Sequence, residues 1–445
     1  MLNILILDMG RGWTGKNKEW TLAIFDIAEF RGQTIKLGFN FTSDFTVTYD
    51  GWYIDNMVVA YIAYEHQLRI DRVCMDKLLI YGENKSISIL IANEGINNET
   101  GVNVKLYING TLWGSQTIDI NSMETQNITF TIKINKSLIG ILNIKIVVEP
   151  VSGEYVTEDN EMRIVAYGGT YIYENDFEKD PTAEWFIAGS NPSWEWGEPT
   201  SGPRIAHSGS YCWATNLTGT YNNNEDSILM KVFTGLGYFH SAPKVFVTFY
   251  HWYYIELGYD YAWFEISYDG AKWIKLDPVE GPEYSYIGWT GSSNDWVRST
   301  FDITGYVTED KDIYIAFHFR SDFDVTCDGW YVDDVRVFVT AILHHDVAVS
   351  GIKAPGTLEY SEKIKISATI TNNGIENETN VIVNLLINSI PVNSTMIPEL
   401  ISHDRITVTF DWTVSLVGQI NITVSVDPVP NEEILINNKF SKMLL

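Results

Sequence analysis

The sequence predicts an all-β protein of alternating β-sandwich domains, and three observations predict it. Short segments alternate apolar and polar residues with the period of two of a half-buried strand, as in Ile313, Ile315, Phe317 and Phe319 against Tyr314, Ala316, His318 and Arg320. Asn-Gly and Asp-Gly pairs, at 373–374, 269–270, 328–329 and 50–51, punctuate these segments where tight turns need a permissive backbone. The chain also repeats itself over a long interval, residues 12–160 returning as 288–438. A repeat of that length marks a string of domains rather than a solenoid.

The chain has 445 residues, enough for three or four domains. Residues 1–62 form the first. Gly12-Trp13-Thr14-Gly15, Trp20 and Phe25-Asp26-Ile27 return as Gly288-Trp289-Thr290-Gly291, Trp296 and Phe301-Asp302-Ile303. Ser43-Asp44-Phe45 and Asp50-Gly51-Trp52-Tyr53 return as Ser321-Asp322-Phe323 and Asp328-Gly329-Trp330-Tyr331, and Ile35, Leu37, Phe39 and Phe41 match the strand at 313–319. Residues 168–287 have no counterpart before residue 12, so residues 1–62 read as the back half of a domain, with strand edges and one apolar face uncovered. The chain is therefore expected to be the C-terminal piece of a longer secreted protein whose signal sequence lies upstream.

Residues 63–167 and 342–445 carry a second repeated unit. Val102, Val104, Leu106 and Ile108 after Asn93-Glu94-Gly95-Ile96 match Val381, Val383, Leu385 and Ile387 after Asn372-Asn373-Gly374-Ile375. Ile128, Phe130, Ile132 and Ile134 match Ile406, Val408, Phe410 and Trp412. Several short alternating strands in about 100 residues indicate an immunoglobulin-like sandwich. Residues 168–341 form the remaining, complete aromatic-rich domain, in which WFEISY and KWIKL flank Asp269-Gly270 as a type I′ hairpin. The joints at 61–66 and 341–346 are short and lack Gly/Ser runs, which predicts stiff connections.

Composition excludes several classes of function. With 30 Lys and Arg against 57 Asp and Glu and a formal charge of -27, the surface cannot gain affinity from phosphate neutralisation, so nucleic acid is not expected as a partner. No run of eighteen apolar residues exists, so no membrane insertion is expected within the chain. The start, MLNILILDMG, lacks the basic flank and small-residue cleavage site of a signal peptide. Cys74, Cys212 and Cys327 supply no disulfide framework, although Cys212 and Cys327 fall within one domain. No HExxH, nucleophile elbow, phosphate loop or dinucleotide fingerprint is present, so the chain is expected not to be an enzyme.

Family resemblance sharpens this picture. ENDFEKD at 174–180, WEWGEPTSGP at 194–203, AHSGSYCWATNLTGTY at 206–221, ISYDGAKW at 266–273, WVRSTFDI at 296–303 and DGWYVDDVRV at 328–337 resemble the MAM-like jelly roll near the C-terminus of immune inhibitor A metalloproteases. The tail of that resemblance recurs at 11–60. HDVAVSGIKAP at 345–355, ITNNGIENETNVIVNLLIN at 370–388 and VSVDPVPNE at 424–432 resemble CARDB, a cell-adhesion-related domain of bacteria and archaea. The first copy departs from that pattern, with Gln67 for Asp346. The resemblance implies non-catalytic modules of surface or secreted proteins.

Three sets of residues are candidates for function. Jelly rolls of this kind often hold Ca²⁺ where the first and last strands run side by side, and those strands carry Asp176, Glu178, Asp333 and Asp334; a hard cation wants such oxygens. The alternative is that these acids face water in turns. Trp252, Tyr254, Tyr259 and Tyr261 offer flat rings for sugar faces, with Asp260 and Glu256 beside them to meet hydroxyls; core packing is the competing role. Asn-x-Ser/Thr acceptors stand at Asn40, Asn84, Asn98, Asn109, Asn127, Asn135, Asn216, Asn377, Asn393 and Asn421. With the acidic surface they suggest an exported glycoprotein of archaeal type, extracellular or on the cell surface. Such a protein would bind carbohydrate or a surface protein, or serve as the accessory C-terminal region of a secreted metalloprotease.

Overall fold

The computed structural model describes residues 19–25, 27, 30, 35–43, 48–59 and 64–444. The chain divides into two compact units, Met1–Ile62 and Ala63–Leu445. The protein is all-β. Its only helical elements among the described residues are short 3₁₀ turns, and no helix is long and apolar enough to cross a membrane. Cys74, Cys212 and Cys327 are free thiols.

Within the second unit, two immunoglobulin-like sandwiches share one topology. In the first, Leu68–Cys74, Asn84–Asn93 and Thr125–Lys133 form one sheet. Facing it, Thr111–Ile120, Glu99–Ile108, Gly140–Val148 and Glu161–Asn175 hydrogen-bond in that order. In the second, Val347–Lys353, Lys363–Asn372 and Arg405–Thr413 face Ile390–Leu400, Glu378–Ile387, Ile420–Val426 and Lys439–Leu444 in the same order. The alternation read from sequence fills both cores: Val102, Val104, Leu106 and Ile108 are buried, as are Val381, Val383, Leu385 and Ile387. Each such side chain contributes about 1.5–3 kcal/mol by leaving water.

Between the sandwiches lies the jelly roll. One sheet orders Trp273–Lys275, Tyr261–Ser267, Ile313–Arg320, Asp226–Phe233 and Trp185–Ser190. The other is built on Gly329–Val339, which pairs along one edge with Val245–Ile255. Its opposite edge is divided between Cys212–Thr215, at 331–332, and Glu161–Asn175, at 335–339. The aromatic content of the sequence is spent between these sheets, where Trp185, Phe249, Phe264, Trp289, Phe301, Phe317 and Trp330 pack as one cluster. Trp330 is fully buried, and its indole N–H donates to His251 Nδ1 at 3.1 Å. Burial holds that imidazole neutral, its pKa lowered to about 3.

Two expectations change. The Asp269-Gly270 hairpin is not a two-residue turn, because pairing stops at Ser267↔Trp273. The Asp269 carboxylate accepts the N–H groups of Ala271 and Lys272 at 2.9 and 2.8 Å, so a side chain, not a I′ backbone, closes the longer loop. In the first unit, the strands expected at 35–41 and 51–59 carry no strand pairing among the described residues. Their repeats, Ile313–Arg320 and Gly329–Val339, pair with strands drawn from 168–287, and a strand without a neighbour has no ladder to define it.

The joint before the jelly roll is a single strand. Glu161–Asn175 pairs through its first half with Gly140–Val148 of the first sandwich and through its second half with Gly329–Val339. At the crossing, a Cβ on Gly168 would sit 1.7 Å from the Leu138 carbonyl oxygen, and one on Gly169 would sit 1.9 Å from that of Val339. Backbone approaches at these two positions leave room only for hydrogen. Gly169→Ala is expected to destabilise the full chain by about 1–3 kcal/mol through this overpacking. Gly356→Ala, with nothing within 4 Å, should stay within about 0.5 kcal/mol of wild type. Denaturant unfolding of both variants checks the contrast.

Candidate functional site

The last jelly-roll strand explains its acidic pair. Thr248 pairs with Arg336 and Tyr250 with Asp333, so Asp334 and Val335 together oppose Phe249 in a β-bulge. Asp334 takes φ 50°, a conformation that Asp and Asn tolerate better than other side chains.

The four carboxylates expected to hold Ca²⁺ gather around one loop. The first and last strands do lie side by side, with Asn175 paired to Val335. Buried Asp333 accepts the N–H groups of His207 and Ser208 at 2.9 and 3.1 Å through Oδ2, and that of Asp334 at 2.7 Å through Oδ1. Glu178 Oε1 accepts from Ser210 and Tyr211 N–H, each at 2.7 Å. Asp334 bonds the His207 ring at 2.5 Å, the Ser208 hydroxyl at 3.1 Å and the Arg336 guanidinium at 3.2 Å. Asp176 accepts from Glu178 N–H at 3.3 Å. Asp333 and Glu178 thus hold the backbone of the 207–211 segment from its two ends. Gly209 lies between them at φ 56°, and a Cβ there would meet the Glu178 carboxylate.

Among the described residues, the carboxylates that converge are a different set. One oxygen each from Glu256, Asp260 and Asp322 lies within 4.8 Å of the others. Glu256 directly follows the strand Val245–Ile255, Asp260 precedes Tyr261–Ser267, and Asp322 follows Ile313–Arg320. The antiparallel register Tyr261↔Arg320 brings the last two together. Buried Tyr221 ties the group: its hydroxyl donates to Asp260 Oδ2 and accepts from Glu256 N–H at 3.1 Å. Asp260 Oδ1 accepts from Asp322 N–H at 2.8 Å, and Asp322 Oδ1 accepts from Asp324 N–H at 2.9 Å. Glu256 Oε2 is enclosed without a hydrogen-bond partner.

Electrostatics distinguish this group from the others. Desolvation first, then the neighbouring charges of Asp322, Asp260 and Asp324, push the Glu256 carboxyl above the usual range. Desolvation also raises Asp260, against the hydrogen bonds from Tyr221 and Asp322. No Lys or Arg ion pair to the three acids occurs among the described residues. Clustered carboxylates that lack a cationic side chain and include an orphaned oxygen fit a hard divalent cation.

The aromatic candidates divide. Tyr254 and Tyr259 are exposed. Trp252 is half-buried, edge-on to Tyr331 at 5.4 Å, and Tyr261 is half-buried with its hydroxyl donating to Gly258 O at 2.8 Å. Leu257, Phe323 and Val325 are also exposed, and they alternate along the two loops that carry the acids. Sequence reading placed Asp260 and Glu256 beside the rings. It missed Asp322 as their third partner; the signal available was the acidic segment SDFD directly after the 313–320 strand.

Of the glycan acceptors, Asn40, Asn84, Asn98, Asn109, Asn127, Asn135, Asn377 and Asn393 are exposed, while Asn216 and Asn421 are half-buried. Several also organise turns. Asn98 and Asn377 accept the N–H groups of Ser122 and Ser402 at equivalent places in the two sandwiches, and the Asn216 amide donates to Thr220 O at 2.9 Å.

Burial pushes the Asp333 carboxyl up to about 8, against the three N–H groups that favour its charge. An unfolded Asp titrates near about 3.9. The folded state therefore holds a proton that the unfolded chain has released between those values, and the stability this group contributes at low pH is lost as pH rises through the window. The melting temperature of wild type relative to Asp333→Asn should fall between about pH 5 and about pH 8. A difference that stays constant across that range would remove Asp333 as the titrating group.

Comparison with known proteins bears on the sandwiches most directly. The CARDB family model matches residues 67–163 and 344–442, including the first copy despite its Gln67. Bacillopeptidase F of Bacillus subtilis (strain 168) is 29% identical over 195 residues, which are 44% of this chain and 12% of that protein. The chain thus spans a small part of that relative's length. A CARDB domain of Pyrococcus furiosus, crystallised in complex with di-metal ions, is 19% identical, with a TM-score of 0.22 over 24% of this chain and 97% of that domain. A carbohydrate-binding module of the β-sandwich superfamily is 13% identical, with a TM-score of 0.29 over 61% of this chain and 98% of that module. Two separate segments of the chain, one on each side of the jelly roll, match CARDB.

Proposed function

We propose that the chain is a non-catalytic extracellular or cell-surface binding protein in which CARDB sandwiches, at 63–167 and 342–445, hold a MAM-like jelly roll, at 168–341, as the binding module. Residues 1–62 are a further, partial jelly roll. The observation that carries the reading is the tip formed by Glu256, Asp260 and Asp322, where clustered carboxylates, one oxygen of them enclosed without a partner, share two loops with exposed Leu257, Tyr259 and Phe323, beside exposed Tyr254 at the end of the adjoining strand. The acids suit Ca²⁺, whose coordination of six to eight oxygens leaves positions for a ligand's hydroxyl groups. The rings suit the apolar faces of a sugar. Carbohydrate is therefore the ligand class this tip fits best.

A second reading has its own support. The likeness to part of Bacillopeptidase F is what an accessory region of a secreted protease would show, and binding at the tip would then serve to hold that enzyme near its target.

Calcium and glycan binding are tested on the full chain. A ligand that binds only the native state stabilises by about 2.7 kcal/mol at 100 times its Kd, so Ca²⁺ should raise the melting temperature of metal-stripped protein. Asp322→Asn and Asp260→Asn should abolish that rise. Tyr259→Ala should keep the calcium response and weaken glycan binding roughly three- to tenfold. No calcium response in wild type would remove the cation site, and an array of glycans that stays unbound with calcium present would remove the sugar.

A further inference from the structure

The contact between the jelly roll and the second sandwich has two parts, and one of them is built around a buried acid. At the first part, Gly351 packs on Ala183 O and Arg405 approaches Glu184. At the second, the loop at 427–438, which joins Ile420–Val426 to Lys439–Leu444, enters the jelly roll. Its Ile434 is buried within the jelly-roll core cluster that holds Leu236 and Phe239. A Cβ on Gly235 would lie 3.1, 3.2 and 3.3 Å from atoms of Ile434, Ile436 and Asn437, so the loop fills this seat closely. Asp346, fully buried at the end of the joint, holds the root of the loop. Its carboxylate accepts from the Asn373 amide at 2.6 Å and from the Asn437 amide at 3.0 Å.

The loop brings further acids to the same joint. Glu432 accepts the Val347 N–H at 2.9 Å, and Glu433 accepts those of His344 and His345 at 2.8 and 3.1 Å. The two imidazoles have acidic neighbours of their own, His345 facing Glu378 at 2.8 Å and His344 facing Glu376 at 3.9 Å. From the jelly roll, Lys231 and Tyr173 line the cavity that Asp346 and Asn437 also line, but both are bonded to Glu184. Burial above all, with the charges of Glu432 and Glu433 added, pushes the Asp346 carboxyl up to about 7 against its two amide hydrogen bonds. Asn437 Oδ1 is enclosed without a donor. A proton on Asp346 is the donor that this acid–amide pair lacks, whereas a bare carboxylate puts another negative charge into a closed interface. In the first sandwich acid and amide are exchanged, Gln67 donating to Asp159 at 3.3 Å, so the buried position there carries no charge. We propose that the loop contact is a proton-operated latch: protonated Asp346 bonds Asn437 and seats Ile434 in the jelly roll, and ionised Asp346 lets the 427–438 loop withdraw, freeing the joint to bend about the Gly351–Ala183 contact.

Hydrogen exchange of the full chain tests the latch through protection factors, which remove the intrinsic pH dependence of exchange. With the loop seated, Asp346 titrates at about 7; withdrawn into water it titrates at about 3.9. The seated state therefore holds a proton that the open state has released between those values, so seating weakens as pH rises through the window and levels off above it. Val349 N–H donates to Asn437 O at 2.9 Å, and Tyr238 N–H donates to Gly235 O at 3.0 Å in the turn that Ile434 covers. Protection of these two amides should fall together by roughly thirty- to hundredfold between about pH 5 and about pH 8, while protection of Glu184 and Trp185, beside the fixed contact, stays constant. In Asp346→Asn, whose amide carries N–H donors at every pH, both profiles should be flat. A flat profile in wild type would overturn the proposal without recourse to the variant. A fall confined to Val349 would overturn it too, because the titration would then be internal to the sandwich. So would a fall that persists in Asp346→Asn, since His344 or His345 would then carry it.

Discussion

The second unit depends on the way one strand, Gly329–Val339, shares out its two edges. One edge is given wholly to Val245–Ile255. The other is given first to Cys212–Thr215 and then to Glu161–Asn175. The gap between these two neighbours falls at the bulge, where a ladder cannot satisfy the passing backbone. Asp333 and Glu178 solve that problem by taking the N–H groups of His207, Ser208, Ser210 and Tyr211. In the strand's acidic pair, Asp333 is therefore a backbone device, while Asp334 bonds the side chains of His207, Ser208 and Arg336. Asn56 at the same place in the first unit keeps the positive φ without needing the charge.

That strand also carries the stiffness of the chain. Because Glu161–Asn175 passes from the first sandwich into the jelly roll without a break, bending there would have to break sheet hydrogen bonds. The joint to the second sandwich uses charge instead. Lys231 Nζ lies 2.9 Å from Glu184, both almost fully buried, and Arg405 approaches the same carboxylate at 3.7 Å. Burial opposes ionisation of Glu184, yet Lys231 and Arg405 outweigh it and hold the carboxyl below its usual range. Removing one member of such a group strands the rest and costs about 3–5 kcal/mol, while the intact group adds little net stability. What it adds is a defined seat for Arg405, and Gly351 packing against Ala183 O sets the same contact sterically.

Much of this architecture was legible in the sequence. Alternation at 313–319, 102–108 and 381–387 placed the core side chains because a half-buried strand allows no other pattern, and the long repeat separated the two kinds of domain. The features that escaped depend on pairing. The boundary drawn between 167 and 168 falls inside a strand, Glu161–Asn175, that two domains share. The Asp269 loop was misread because Asp-Gly signals a turn without fixing its length. Asp322 stands 62 residues from Asp260, and only the register Tyr261↔Arg320 makes them neighbours. Similarly, Trp252 and Tyr254 are alike in sequence, yet Trp252 packs on Tyr331 while Tyr254 stays exposed.

The contrast between the two acidic groups shows why residue type alone could not assign a site. Both are enclosed, and burial opposes ionisation in both. Around Asp333 the neighbours are N–H donors held in place by the chain, so the carboxylate is consumed by folding. Around Glu256 the neighbours are mostly other carboxylates, and one oxygen is left without a donor. Asp260 and Asp322 keep the hydrogen bonds from Tyr221 and from the Asp322 and Asp324 N–H groups, but these are made against the mutual repulsion of three acids in a protein already of net negative charge. Tyr259 and Phe323 stand exposed on the loops that carry these acids.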